Sequence, residues 1–62
     1  MVLDMYGKVV RVGDTIKVDV DSLFLRKVNK YKVLEASESW VEVLSDIGQP
    51  SFIRPQHVIV VP

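Results

Sequence analysis

Residues 12–20 read Val12-Gly13-Asp14-Thr15-Ile16-Lys17-Val18-Asp19-Val20, and this stretch decides the fold. Gly13 and Asp14 are turn residues, because glycine tolerates unusual backbone angles and the aspartate side chain can bond nearby amides. From Ile16 to Val20 apolar and charged side chains alternate. Since successive side chains of a strand point to opposite faces, this period of two separates an apolar face from a charged one. The stretch predicts the first strand of a small sheet, over residues 15–20.

The chain has 62 residues and no cysteine. A chain of this size buries only about 60% of the surface that its unfolded form exposes. Without a disulfide or a thiolate metal site, its stability must come from a compact core, which self-association can supplement. Hydrophobic residues make up 48% of the chain, too many for a disordered segment. We predict one domain over residues 1–62, with residues 1–8 as a lead-in segment.

The charges balance but are unevenly distributed along the chain. Eight basic and eight acidic residues give a net charge of zero. Residues 1–34 carry seven basic and four acidic side chains, a difference of +3, and residues 35–62 carry one basic and four acidic, a difference of −3. These totals alone do not indicate the strongly basic face that nucleic-acid-binding proteins use.

The sequence has no targeting or membrane signal. The N-terminus lacks a basic start followed by an apolar run, so it does not resemble a secretory signal. No apolar run approaches the roughly 18 residues typical of a membrane span. The absence of cysteine fits a reducing compartment. We therefore expect a cytoplasmic protein with no membrane partner.

Four further strands follow the first, each bounded by turn residues. The apolar pattern predicts them over residues 31–36, 40–44, 51–54 and 58–61, and Pro55-Gln56-His57 is typical of one 3₁₀ turn before the last strand. Residues 21–30 are the least regular segment. We interpret them as a long loop and not a helix, because a helix of about six residues is marginal unless it is packed.

Several short strands separated by turns predict an all-β sandwich or barrel, and 62 residues are too few for two large sheets. A five-stranded barrel, closed so that few strand edges are exposed, is the simplest fold that fits this pattern.

The order of these features along the chain resembles the SH3-like barrel superfamily over residues 8–61. The resemblance rests on Gly13–Val18, the long loop, Tyr31–Ala36, Trp40–Val43, the Asp46–Pro50 turn and Phe52–Val58. Residues 4–14 also resemble small bacterial and phage-encoded barrels of this kind.

The resemblance implies a five-stranded barrel with a 3₁₀ turn before the last strand. It also implies that Trp40 stands at the family's ligand-binding tryptophan and Pro55 near its ligand-platform proline. Three features depart from the peptide-binding members. The lead-in has only Tyr6 where theirs has an Ala-Leu-Tyr-Asp-Tyr-type first strand, the long loop is basic where theirs is acidic, and His57 replaces the tyrosine that usually precedes the final valine. Binding of proline-rich peptides is therefore not carried over to this chain.

The sequence contains no recognisable catalytic or metal-binding motif. It has one histidine and neither a glycine-rich phosphate loop nor a nucleophile motif. A lone histidine in a closing turn, such as His57, is most often structural. Asp19 and Asp21 share a strand face, but a cation site needs several more oxygen ligands. We predict that the protein is not an enzyme and that it has no catalytic residues, no metal site and no cofactor.

The surplus of large apolar side chains indicates a binding surface. A barrel of this size cannot easily enclose them all, and a tryptophan beside a polar turn often anchors an interface. The alternative is that Leu23 and Phe24 plug one end of the barrel while Trp40 packs over it. We predict a non-enzymatic protein-interaction module that binds another protein or a second copy of itself, as in a homodimer. The predicted protein-binding residues are Leu23, Phe24, Trp40, Phe52, Arg54 and Pro55.

A basic segment supports an alternative function. Residues 26–32 contain four positive charges interleaved with Tyr31 and close to Phe24, a pattern suited to phosphate contact and base stacking. The predicted nucleic-acid-binding residues of this alternative are Arg26, Lys27, Lys30 and Lys32. A third alternative is a small-ligand-binding protein or oligomeric enzyme whose site forms only at a subunit interface.

Overall fold

The five predicted strands are all present in the computed structural model, which describes residues 1–62, and the all-β class is confirmed. They are β1 Thr15–Val18, β2 Tyr31–Ala36, β3 Val41–Leu44, β4 Pro50–Ile53 and β5 Val58–Val60, and a 3₁₀ turn at Pro55–His57 precedes β5. Residues 21–30 contain no helix, as predicted. No helix of the structure has the length and apolar character needed to cross a membrane.

The predicted strand bounds differ from the observed ones mainly at the ends. β1 stops at Val18 although the alternation continues to Val20, because the chain turns into the loop and leaves Val20 46% exposed. The turn that leads into β1 is as predicted. The Asp14 amide donates to the Arg11 carbonyl at 3.0 Å, and Gly13 in this turn has a φ of +92°, which glycine adopts at little cost.

The strands form one antiparallel sheet in the order β4-β3-β2-β1-β5. β2 is the shared strand: its start pairs with β1, through Tyr31 opposite Ile16, and its later part pairs with β3. The register shifts between Val33 and Glu35, an irregularity that bends a strand and increases its twist. β2 therefore changes its partner from β1 to β3 along its length, and the irregularity that bends it lies at Leu34.

The predicted closure of the barrel is not observed, because β4 and β5 are the two edges of the sheet and do not pair. The free edge of β5 is occupied by the lead-in segment instead. The Met5 amide donates to the Val58 carbonyl at 2.9 Å, and the Val60 amide donates to the Asp4 carboxylate at 2.8 Å. β4 is a four-residue edge that begins at Pro50 and is followed closely by Pro55, and short, proline-flanked edges resist further pairing.

The core consists of eleven buried apolar side chains. They come from alternate positions of the five strands and from three residues outside them, and they are Val2, Val10, Ile16, Val18, Leu25, Tyr31, Val33, Val41, Val43, Ile53 and Val58. The predicted inward face of β1 is confirmed by Ile16 and Val18. The alternative in which Leu23 and Phe24 plug one end of the barrel is not observed, because the loop buries Leu25 and leaves Leu23 79% and Phe24 37% exposed.

A buried carboxylate connects the lead-in segment to the sheet. Asp4 is 6% exposed, and its side chain accepts hydrogen bonds from the amides of Tyr6, Lys8 and Val60, each at 2.8 Å. Burial alone raises the pKa of the Asp4 carboxyl. The three amides and the nearby Lys8 charge more than offset this and hold the pKa below its ordinary value of 3.8. Asp4 is therefore ionised in the folded protein at neutral pH.

We expect Asp4→Ala to destabilise the protein by about 3 kcal/mol, because three amide donors lose their acceptor and a buried donor without a partner costs about 1–3 kcal/mol. Asp4→Asn should also destabilise, since it replaces one acceptor oxygen with a donor. Urea denaturation at neutral pH measures both effects. Glu35→Gln, the same carboxylate-to-amide change at an exposed position whose side chain makes no hydrogen bond or ion pair, is the control and should change stability by less than about 0.5 kcal/mol.

The same carboxylate makes stability depend on pH in a defined direction. Because the folded pKa lies below the unfolded value of about 3.9, the Asp4 contribution is complete above that value and is lost as the pH falls through the folded pKa. The stability difference between the native chain and Asp4→Asn should therefore shrink as the pH drops from about 5 to about 3. A difference that stays constant over this range would contradict the assignment.

Candidate functional site

An open cleft lies between two aromatic rings on the surface of the sheet. Trp40 is 44% exposed and Phe52 is 61% exposed. The rings border a cleft of about 60 Å³, whose other lining residues are Glu35, Ala36, Ser37 and Glu42. We call this feature the Trp40–Phe52 cleft. Two large aromatic side chains that remain half-exposed on one face are typical of an interface anchor.

Local sequence explains the position of both rings. Trp40 ends the tight polar turn between β2 and β3, where its carbonyl accepts a hydrogen bond from the Ser37 amide at 2.8 Å. Phe52 lies on β4 directly opposite Glu42 of β3. Their neighbours Val41 and Ile53 point inward and are buried, so the alternation of the strands leaves the aromatic side chains outside.

Arg54 contacts the tryptophan ring. Its guanidinium carbon lies 5.0 Å from the Trp40 ring centroid, within the range of a cation–π interaction. Because Arg54 directly follows β4 and precedes the 3₁₀ turn, this contact links the end of β4 to the start of β3. The ring of Trp40 is thus held from one side by a cation of the same chain.

Two carboxylates lie together beside the rings. Glu35 of β2 is the direct cross-strand partner of Glu42 of β3, and like charges in such positions repel each other. The only ion pairs in the structure are Met1–Glu38 and His57–Asp19, so neither Glu35 nor Glu42 has a cationic partner. The Trp40–Phe52 cleft is therefore aromatic and acidic.

The loop of residues 21–30 is an ordered structure attached to the turn after β3. The buried Tyr31 hydroxyl donates to the Asp46 carboxylate at 2.9 Å and accepts a hydrogen bond from the Arg26 amide at 2.7 Å. The Asp46 amide donates to the Phe24 carbonyl at 3.1 Å. Tyr31 and Asp46 thus fix the loop against the β3–β4 hairpin.

The six predicted protein-binding residues fall into two groups. Trp40, Phe52 and Arg54 come together at the cleft, and the half-buried Pro55 follows Arg54. Leu23 and Phe24 belong to the other group, because the loop that carries them is bonded to Asp46, beyond the end of β3, whereas Trp40 precedes its start. The sequence predicted one contact surface, but the structure separates it along β3.

The four predicted nucleic-acid-binding residues are all exposed and none is in an ion pair. Arg26 and Lys27 begin a turn that the Asn29 amide closes by donating to the Arg26 carbonyl at 3.1 Å. Val28 in this turn is 83% exposed. The side chains of Arg26, Lys27, Lys30 and Lys32 make no hydrogen bond or ion pair within the chain.

Two glutamates of the cleft were missed at the level of sequence. The period of two in β3 places Glu42 on the same face as Trp40 and is the signal that would have identified it. To identify Glu35 as part of the cleft, one must know the register of β2 against β3, and this register contains an irregularity that the sequence does not reveal. Asp4 was also missed, because its partners include Val60, 56 positions away.

The remaining titratable groups form no larger cluster. The His57 Nδ1 atom lies 3.0 Å from the Asp19 Oδ1 atom in a partly exposed pair. No group of three or more histidine, cysteine, aspartate or glutamate side chains is arranged to hold a metal ion.

Comparison with known proteins gives no relative. No protein-family model matches the chain, and no curated protein sequence or solved structure matches it significantly.

We expect Tyr31→Phe to loosen the loop without unfolding the core. The substitution leaves the Arg26 amide without its acceptor and removes one of the two side-chain donors to the Asp46 carboxylate, so that only Asn29 remains, and we expect a loss of about 1–3 kcal/mol. Hydrogen exchange should accelerate at the Arg26 amide more than at amides of β2 and β3. Tyr6→Phe, which removes an exposed hydroxyl, is the control, and equal acceleration in both variants would contradict the role of Tyr31.

Proposed function

We propose that the protein is a small non-enzymatic interaction module that binds protein through the Trp40–Phe52 cleft. The observation that carries this proposal is the pair of half-exposed aromatic rings that border a common cleft. Exposing aromatic surface costs free energy that burial would recover, and aromatic side chains are enriched among the residues that dominate protein interfaces.

The fold that we propose for this module is an SH3-like barrel. Five antiparallel strands, a long loop between β1 and β2, and a 3₁₀ turn immediately before a last strand that begins with Val58 support the assignment. The bend in β2 lets its two ends serve two sets of partners, as a barrel requires. The lead-in segment against β5 takes the place of direct pairing between β4 and β5.

Trp40→Ala and Phe52→Ala should each reduce the protein retained from a cell lysate on the immobilised chain by about tenfold, as expected for loss of an interface anchor worth at least 1.4 kcal/mol. Tyr6→Ala, which removes an aromatic ring that is 72% exposed at another place, is the matched control and should retain the wild-type amount. Trp40 is the only tryptophan, so bound protein should also shift its fluorescence emission to shorter wavelength.

Equal retention by the Trp40→Ala and Tyr6→Ala variants would contradict the proposal. Thermal unfolding of each variant, followed by circular dichroism, establishes that the compared proteins are folded.

A second candidate function is nucleic-acid binding by the basic loop, which the four exposed and unpaired cations at residues 26–32 favour. Under this alternative, Lys and Arg neutralise phosphates and release counterions, so affinity falls steeply with salt. Arg26→Glu should weaken binding to mixed-sequence DNA and RNA and reduce the salt slope by about one unit. Arg11→Glu makes the same charge change at another exposed position and is the control. Equal affinities of the two variants would exclude this function.

A further inference from the structure

We propose that the occupant of the Trp40–Phe52 cleft is a second copy of this chain, which inserts its Arg26–Asn29 turn. This inference rests on the proposed function of the cleft and specifies the partner. The interface is head-to-tail, because each copy contributes its cleft to one neighbour and its turn to another.

The cleft favours a cationic occupant. Glu35 and Glu42 are forced into register across β2 and β3, and neither has a cation within ion-pair distance. A positive group from outside would relieve their repulsion and would also lie beside Trp40 and Phe52, whose ring faces attract cations. The contact of Arg54 with Trp40 shows that this ring accepts a guanidinium. Arg54 is the one basic residue at the cleft, and it contacts Trp40 and not the two glutamates. Glu38, in the turn that precedes Trp40, already pairs with the N-terminal ammonium at 2.7 Å.

The turn has the complementary chemistry. Val28 is an apolar side chain at the apex, 83% exposed, and Lys27 and Lys30 lie on either side of it along the chain. Two carboxylates lie near the turn, and both are engaged within the chain. Asp21 accepts a hydrogen bond from the Lys27 amide, and Asp46 accepts hydrogen bonds from Tyr31 and Asn29. The lysine side chains are thus free to reach the glutamates of a neighbour while Val28 contacts its rings.

The two surfaces lie at different places on the molecule. The cleft lies around Trp40 and Glu42, at the start of β3, and the turn is fixed against Asp46, which follows the end of β3. A turn-to-cleft contact that passes from one copy to the next is heterologous and produces an open chain of subunits or a closed ring, whereas two copies that exchange their turns reciprocally form a two-fold dimer. The cleft encloses only about 60 Å³, so we expect weak, concentration-dependent association.

The experiment is sedimentation velocity over about a hundredfold range of concentration that reaches about 1 mM, at about 0.1 M and about 1 M salt. The wild-type chain should grow in mass with concentration at low salt. At high salt, where screening shortens the reach of charge from about 10 Å to about 3 Å, association should weaken by about tenfold. A wild-type chain that remains monomeric at every concentration and low salt would overturn the inference.

Charge reversal tests the pairing of the two patches. The variants Lys27→Glu/Lys30→Glu and Glu35→Lys/Glu42→Lys should each be monomeric, because each places like charges in the contact. An equimolar mixture of the two should associate again, since the acidic turn of one then matches the basic cleft of the other. Failure of the mixture to associate, with both variants folded by circular dichroism, would contradict a head-to-tail contact. Glu35→Gln/Glu42→Gln, which removes charge without adding repulsion, replaces the lysine variant if that variant does not fold and should associate about tenfold more weakly than the wild type.

The outcome separates this inference from the proposed function. A strictly monomeric chain that still retains lysate protein in a Trp40-dependent manner overturns the second copy as occupant and leaves the interaction module intact. A monomeric chain whose lysines 27 and 30 are needed only for binding to mixed-sequence DNA or RNA overturns the inference and assigns the turn to nucleic acid. A chain with neither activity removes both proposals.

Discussion

The fold depends on one buried charge. Asp4 lies outside the regular strands, yet its carboxylate accepts amides from its own turn and from Val60 at the other end of the chain. An apolar residue at this place would leave three amides without acceptors, and an unpaired charge would be too costly to bury. The three hydrogen bonds offset the free-energy cost of burying the Asp4 carboxylate. They hold the lead-in segment against the free edge of β5. The core residues Val2 and Val10, which precede and follow Asp4 in the chain, are held in place with it.

The parts of the fold that sequence predicts are the local ones. The alternation in β1 identifies Ile16 and Val18 as core residues because strand periodicity is a property of neighbouring positions. The choice among Leu23, Phe24 and Leu25 is different. All three are suitable core residues, and only the path of the loop, set by Tyr31 and Asp46, determines that Leu25 is buried. Closure of the sheet was mispredicted for the same reason, since it depends on contacts between distant segments.

The candidate site shows the same division between local and distant information. Trp40, Phe52 and Arg54 were identified by residue type, because large aromatic and guanidinium groups carry interface energy wherever they are exposed. Their separation from Leu23 and Phe24 depends on which turn the long loop packs against. The acidic character of the cleft depends on cross-strand register, which places Glu35 opposite Glu42. Charge totals along the chain indicated an acidic C-terminal half, and the register concentrates two of those charges in one place.

The guarded edges of the sheet have a consequence for how recognition can change. The lead-in segment covers β5, and prolines flank the short outer strand β4, so the backbone offers little opportunity for a partner to add a strand. Under the proposed binding function, selectivity then depends mainly on exposed side chains such as Phe52 and Glu35, neither of which belongs to the core cluster. Single substitutions of exposed side chains can then change the binding preference with little effect on the stability of the fold. A sheet that recognises its ligand through backbone pairing cannot change its preference in this way.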